Sequence, residues 1–154
     1  MELFDLASRV GNLAWVQAKS FEVVGQWASV EPDPQVRLQF FSHSRRQGFH
    51  AKALVGLLPR LAGHSLDEFV VPKISQQEGF FKHISGATST RNRLVFLYEY
   101  SVPVTMSLLK DFLDKSDTIS EMPHIRVISQ VFLDEAQDLR LGQKLLVSSR
   151  SDSE

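Results

Sequence analysis

Residues 130–142 read QVFLDEAQDLRLG, a strongly helical stretch with two carboxylates where an amphipathic helix would have apolar residues. One face of this helix advances in steps of three and four residues and comprises Ile128, Val131, Glu135, Asp138, Gly142 and Leu145. Glu135 and Asp138 are three residues apart, so they lie one turn from each other on that face. A buried carboxylate is costly unless it is paired or binds a metal. Either this face is exposed, or the protein compensates both charges internally.

The composition indicates one soluble domain. The chain has 154 residues, of which 43% are hydrophobic and 23% are charged, with a formal net charge of -1. This charge gives no reason to expect nucleic acid or an anionic membrane, and the absence of cysteine excludes disulfides and thiolate chemistry. Residues 1–5 do not resemble the start of a signal peptide, and no apolar run approaches about 18 residues. We therefore expect a cytoplasmic protein with no membrane or nucleic-acid partner.

Two long helices are predicted in the first part of the chain. Apolar spacing predicts one helix over residues 3–29 and a second over residues 34–61. Between them, Asp33 is a suitable N-cap and Pro34 suits the first helical position. Because the linker is so short, the two helices should be antiparallel neighbours.

A long connection over residues 62–89 follows the second helix. Its segments 65–68 and 75–78 both have the spacing of a capping box, which predicts short helical turns there. So long a segment is uncommon in a compact domain unless it crosses a bundle or has a function. We therefore interpret it as a crossover between two helix pairs.

A second helix pair is predicted after the crossover. The third helix should span residues 90–115 and kink at Pro103, which cannot donate a hydrogen bond to the carbonyl of Glu99. The fourth helix should begin near Pro123, and the tail, residues 148–154, should be disordered. Two antiparallel pairs joined by one crossover predict an all-α, ferritin-like four-helix bundle in a single domain over residues 1–147.

Each predicted helix has unusual polar residues near the middle of its apolar stripe. This candidate polar layer comprises Gln17, Gln47, His50, Tyr98, Glu99, Glu135 and Asp138. Counting outward from each turn places Gln17 level with Gln47, and Tyr98 level with Glu135 and Asp138. We therefore expect these side chains to meet in the core, where satisfied polar networks fix the register of helices.

Other conspicuous residues have a structural interpretation. We expect His43 to face solvent or a helix interface, although it could join the layer. Arg45 and Arg46 are interpreted as part of a solvated face, because no basic stripe extends from them. Trp15 and Trp27 lie off the main stripe of the first helix and should pack against the crossover or a second subunit.

The polar layer resembles the di-iron carboxylate site of the ferritin-like superfamily, in which two helices supply Glu and two supply Glu-x-x-His. The corresponding motifs here are Gln47-Gly48-Phe49-His50 and Glu135-Ala136-Gln137-Asp138. More narrowly, the chain resembles a poorly characterised actinobacterial group of ferritin-like proteins. The segments that carry this second resemblance are FEVVGQW at 21–27, His50-Ala51, Pro59 and residues 134–142. The resemblance covers about residues 5–147 and implies a ferritin-like bundle.

The ligand set departs from that of a di-iron protein. Amides replace carboxylates at Gln17 and Gln47, and Asp138 stands where the motif has histidine. Two iron ions need several anionic ligands, so we do not expect a full di-iron centre.

Three functions remain open from the sequence. The first is a non-catalytic, homodimeric binding or interaction module without a cofactor, whose ligand is unknown and whose layer is a closed hydrogen-bond network. The second is an oxidase or hydroxylase that acts on a small molecule through one iron or manganese ion bound by His50, Glu135 and Asp138. The third is a metal-free enzyme with Glu135 as its base.

Overall fold

The computed structural model describes residues 1–152, which form helices joined by loops and contain no strand. The five helices of this part of the chain are α1 (Leu3–Val30), α2 (Pro34–Val55), α3 (Ser75–Ser85), α4 (residues 90–115) and α5 (Met122–Asp152). The all-α prediction is confirmed. The predicted count of four helices is wrong for the described residues, because the crossover contains a helix of its own.

Helix α3 is that additional element. Two short helical turns were predicted in the crossover. The first is a 3₁₀ turn at Leu66–Glu68, where the carboxylate of Glu68 accepts a bond from the Ser65 N–H at 3.4 Å. The second begins at Ser75 but continues for 11 residues, because Phe81 and Ile84 find apolar partners in the core.

Helix α2 ends six residues earlier than predicted. Gly56 forms its C-cap and donates its backbone N–H to the carbonyl of Lys52 at 3.1 Å. Leu58 precedes Pro59, and a residue in that position is disfavoured from helical geometry. The crossover therefore begins at residue 56. At the other end of α2, the carboxylate of Asp33 accepts bonds from two backbone N–H groups, as expected of an N-cap.

Helix α4 changes its hydrogen-bond pattern in the middle. Its segments are an α-helix at Thr90–Val95, a π-helix at Phe96–Ser101 and a second α-helix at Val102–Lys115. The N–H of Val102 donates to the carbonyl of Leu97, five residues back. Pro103 has no N–H for the carbonyl of Glu99, so the wider turn lies where the regular ladder would fail. We predicted a kink here, and the structure has a π turn.

The helices pack in two pairs, and the two pairs pack against each other. Helix α1 packs along α2, and the second half of α4 packs along α5; α2 also contacts α5, and α1 also contacts α4. Apolar side chains form two clusters. One contains Trp27, Phe40 and Leu97, and the other contains Leu13 and Leu54. Along α2 and α5 the candidate layer lies between these clusters, so it interrupts an otherwise apolar core.

A buried ion pair fastens the start of α4 to the turn between α1 and α2. Arg93 donates to the carboxylate of Glu31 at 2.9 Å, and both residues are almost fully buried. The same carboxylate accepts the hydroxyl of Thr90 at 2.6 Å and the N–H of Asp33 at 3.0 Å. These bonds offset the cost of burying the two charges.

The remaining predictions about packing have mixed outcomes. Trp15 packs edge-to-face on Phe81 of α3 at 5.7 Å, which confirms its predicted contact with the crossover, whereas Trp27 packs against Phe40 of α2. Helix α5 continues to Asp152, so the disorder predicted from residue 148 is wrong up to that residue; residues 153–154 lie outside the described part. Among the described helices, none has a sufficiently long apolar stretch to cross a membrane.

Candidate functional site

The structure buries six of the seven predicted layer residues in the bundle. These are Gln17, Gln47, His50, Tyr98, Glu135 and Asp138, none more than 6% exposed. The seventh, Glu99, is exposed on α4, and its assignment to the layer is wrong. The reason is helical geometry: neighbouring residues point in different directions, and here Tyr98 is the one that faces inward.

His43 of α2 is the centre of the layer, although we favoured solvent or a helix interface for it. Its side chain is completely buried. Its Nδ1 lies 3.0 Å from the hydroxyl of Tyr98, and its Nε2 lies 3.2 Å from Oε2 of Glu135. The imidazole also stacks on the Tyr98 ring, with centroids 5.6 Å apart and planes 21° apart. His43 therefore connects α4 to α5 from its position on α2.

The bonds around Tyr98 define which nitrogen of His43 carries a proton. The amide nitrogen of Gln39 donates to the Tyr98 oxygen at 3.1 Å and to Oδ1 of Asp138 at 2.9 Å. Since the phenol oxygen already accepts a proton from Gln39, its own proton points to Nδ1 of His43. The Nε2–H of His43 then donates to Glu135. Burial raises the pKa of Tyr98 although the bond from Gln39 acts in the opposite direction, so the phenol stays neutral.

Glu135 is ionised despite its complete burial. Desolvation acts against the charged form, but electrostatic attraction and hydrogen bonds from the His43 and His50 rings lower the pKa of Glu135 to about 2. A carboxylate with such a low pKa is a weak base at neutral pH. The side chain is therefore suited to holding two imidazoles in place.

His50 bridges α1 and α5 as a cation. Its Nε2 lies 2.8 Å from the carboxylate of Asp134, and its Nδ1 lies 3.2 Å from the side-chain oxygen of Gln17. Both ring nitrogens thus face acceptors, which favours a proton on each. Burial acts against this charge, but the carboxylates of Glu135 and Asp134 outweigh it and raise the pKa of His50.

Arg46 lies partly at the predicted solvated face, but it also neutralises the second buried carboxylate. Its Nε donates to Oδ2 of Asp138 at 2.8 Å, and a second guanidinium nitrogen donates to Oδ1. The side chain of Arg46 is 39% exposed and that of Asp138 only 1%, so the arginine reaches in from the surface. The hydrogen bond to Asp138 raises the pKa of Arg46. Arg45, by contrast, is exposed, with its guanidinium 5.9 Å from the centre of the Phe49 ring.

Gln47 and Gln17 lie in the layer with part of their hydrogen-bonding capacity unused. Gln47 is 2% exposed, and its side-chain oxygen has no hydrogen-bond partner within the described residues. The amide nitrogen of Gln17 is likewise buried without a partner there. The network is therefore complete around its charged members and incomplete around its two amides on the α1–α2 side.

The proposed metal ligands do not form a metal site in this geometry. Among residues 1–152, no three His, Asp or Glu side chains are grouped so that they could hold a metal ion. Asp138 is bonded by Arg46 and Gln39, and Glu135 by His43, at the oxygens that a metal would need. The triad of His50, Glu135 and Asp138 thus does not fit iron or manganese.

Gly142 makes room for Tyr98. A Cβ atom built on Gly142 would lie 2.2–2.4 Å from atoms of the Tyr98 ring, far inside van der Waals contact. The glycine therefore lets the aromatic ring approach the backbone of α5, and the π-helical segment of α4 carries the ring on the opposite side. Gly142, which belongs to the same helix face as Glu135 and Asp138, thus has a packing role.

The sequence interpretation missed Gln39, Arg46 and Asp134 as layer members and gave His43 only as a less favoured candidate. A signal for three of them was present on α2. Residues 39, 43, 46 and 50 advance in steps of four, three and four, which places them on one face of the helix. Reading the stripe from His50 toward the N-terminus would have revealed this polar face.

Over the described residues, these features define an all-helical protein with a buried polar layer whose charged members are paired with one another. Family models, curated proteins and solved structures were compared with the chain, and none of them matches. Its function is therefore inferred from the geometry of the layer and of the surface.

Proposed function

We propose that the protein is a ferritin-like bundle of α1, α2, α4 and α5 that serves as a non-catalytic binding or interaction module. The pairing of α1 with α2 and of α4 with α5, and the long crossover between the pairs, support the ferritin-like arrangement. Helix α3 is an addition within that crossover. The polar layer then corresponds to a degenerate di-iron site that has become structural.

The observation that carries this proposal is the bond between Arg46 and Asp138. Metal ions in a carboxylate site offset the negative charge of their ligands. Here the guanidinium of Arg46 supplies that positive charge to Asp138, and the His50 imidazolium supplies it to Glu135 and Asp134. Each of these carboxylates therefore has a partner from the protein itself.

The two catalytic alternatives need these bonds to break. A metal on His50, Glu135 and Asp138 would have to displace Arg46 from Asp138. A metal-free reaction with Glu135 as base would have to use a side chain that is 0% exposed and has a pKa of about 2. Neither route agrees with the geometry as well as a structural layer does.

Metal quantification tests the proposal. The protein is produced in medium supplemented with iron and manganese, purified without chelator, and its metal content is measured by mass spectrometry. The expected result is metal far below one ion per chain in the wild type, and the same content in His50→Ala. Near-stoichiometric metal that His50→Ala abolishes would overturn the proposal and favour the oxidase or hydroxylase.

The outer face of α2 supports the proposed homodimer. Leu38, Phe41 and Phe49 are 67%, 58% and 61% exposed, and their spacing places them on one side of the helix together with Arg45. Large apolar side chains exposed together mark interaction surfaces, and a two-fold dimer would pair this face with itself. Sedimentation velocity should show a dimer that Phe41→Glu dissociates; a wild-type monomer throughout the accessible concentration range would contradict the dimer.

A further inference from the structure

A groove lies between α3 and the middle of α4. Its volume is about 310 Å³, which is at the lower end of the range for sites that bind small molecules. Apolar and aromatic residues form most of its wall, among them Ile74, Phe80, Phe81, Tyr100, Val104 and Leu108. The groove is separate from the charged layer and has no role in the network described above.

The groove combines an open rim with a fixed floor. Three rim residues, Ile74, Tyr100 and Val104, are 56%, 54% and 60% exposed. On the floor, Phe81 is 7% exposed and is held by its edge-to-face contact with Trp15. A rigid floor favours binding, because little conformational entropy is lost when a ligand enters.

The lining of the groove is uncharged. Its polar members among the described residues carry only amide or hydroxyl groups, and the amide oxygen of Gln77 already accepts the amide of Asn12 at 2.8 Å and the N–H of Lys73 at 2.6 Å. The neighbouring cavity of about 450 Å³ is different, since it is lined by charged side chains such as Arg9 and Asp111. A charged ligand would lose the hydration of its charge in the groove without gaining a counter-charge. A neutral apolar ligand does not have this cost.

We propose that this groove binds small, neutral, apolar molecules, aromatic ones in particular. The aromatic preference follows from Phe80, Phe81 and Tyr100, which offer ring edges and faces for stacking. This assignment rests on the proposed function, because it gives the binding module a ligand class and a place for the ligand.

The test uses two dyes that share a ring system. N-phenyl-1-naphthylamine is neutral, and 8-anilinonaphthalene-1-sulfonate has the same rings with an added negative charge. Titration of the folded wild-type protein should give saturable one-to-one binding of the neutral dye. Binding of the sulfonate should be at least about tenfold weaker, which corresponds to ~1.4 kcal/mol.

Two matched variants locate the site. Val104 and Val147 are both helical valines, 60% and 62% exposed, so a larger side chain at either position should not disturb the core. Val104→Phe should fill the groove and weaken binding of the neutral dye at least about tenfold. Val147→Phe on α5 should bind as the wild type does. The melting curves of both variants verify that they are folded.

Several results would overturn the assignment. They are the absence of saturable neutral-dye binding, equal affinity for the sulfonate, unchanged binding in Val104→Phe, or a loss of dimer mass in that variant, which would make the groove a subunit contact. Failure of the proposed function has a different signature, because it would appear as bound metal in the protein without dye.

Discussion

Arg46 of α2 bonds both carboxylate oxygens of Asp138 on α5, so a surface arginine compensates a charge that is buried in the core. The arrangement explains how the carboxylates of the stretch QVFLDEAQDLRLG can lie inside an apolar bundle. Asp138 is 1% exposed. Among the described side-chain hydrogen bonds, its only other donor is the uncharged amide of Gln39. The stability of the layer should therefore depend on Arg46.

Arg46→Met should lower the free energy of unfolding by about 1–3 kcal/mol, because it leaves the Asp138 carboxylate buried with one neutral donor. The side chain of Arg46 is 39% exposed, so water can replace part of the lost interaction. Arg45→Met is the matched control, since Arg45 is exposed and should change stability by less than about 0.5 kcal/mol. Urea unfolding at neutral pH measures both variants. Equal losses in the two variants would contradict the assigned role of Arg46.

The charge on Glu135 should make the protein sensitive to acid. Its pKa is lowered from 4.5 to about 2 in the folded state, so its contribution to stability is present above pH 4.5 and is lost as the pH falls toward 2. The size of this contribution is on the order of 3 kcal/mol. Unfolding free energies measured from pH 6 to pH 2 should show that Glu135→Gln is less stable than the wild type at pH 6 and loses less stability as the pH falls. A loss of stability with falling pH in Glu135→Gln as steep as that of the wild type would contradict this assignment.

His50 should produce a pH dependence of the opposite sign. Its folded pKa is raised above 6.5, so its contribution is fully present below pH 6.5 and is lost as the pH rises through the folded value. The difference in unfolding free energy between the wild type and His50→Gln should therefore be larger at pH 5.5 than at pH 9. Nitrogen NMR should also show both ring nitrogens of His50 protonated at pH 6. A neutral His50 ring at that pH would refute the cation.

Gly142→Ala should destabilise the protein by more than about 2 kcal/mol, even though alanine is the better helix former. The reason is the Tyr98 ring, which lies 2.2–2.4 Å from the position of the new Cβ atom. Gly79→Ala in α3 is the control, because nothing lies within 4 Å of its Cβ position and the substitution should stabilise by up to about 1 kcal/mol. Thermal unfolding of both variants gives the signs. A stabilised Gly142→Ala would show that Tyr98 lies elsewhere.

The positions of the long helices could be predicted because their signals are local. The apolar spacing, the Asp33 cap and the Pro34 start are properties of a few neighbouring residues, and α1 ends one residue from its predicted end. Helix α3 was harder to predict. Its short sequence gains stability from tertiary contacts of Phe81 and Ile84, which the local pattern does not contain.

The layer could be predicted in part, since Glu135, Asp138 and His50 interrupt apolar stripes. Its partners could not all be predicted, because a long side chain need not lie on the buried stripe to reach it. Spacing places Arg46 on the polar face of α2, but it does not show that the side chain bonds Asp138 from a half-exposed position. The sequence also could not show which of Tyr98 and Glu99 faces the core, since that direction depends on the π turn that contains both residues.

That π turn also bears on how the chain tolerates changes in length. A helix that widens from a four-residue to a five-residue bond holds one residue more than a regular helix between the same two points. The surplus is absorbed locally, and Leu94 before it and Leu109 after it are both completely buried. Helix α4 thus accommodates one additional residue without forming a loop. Deletion of one residue in the π turn would convert it to a regular α-helical turn and leave the faces of the helix before and after it in the same orientation.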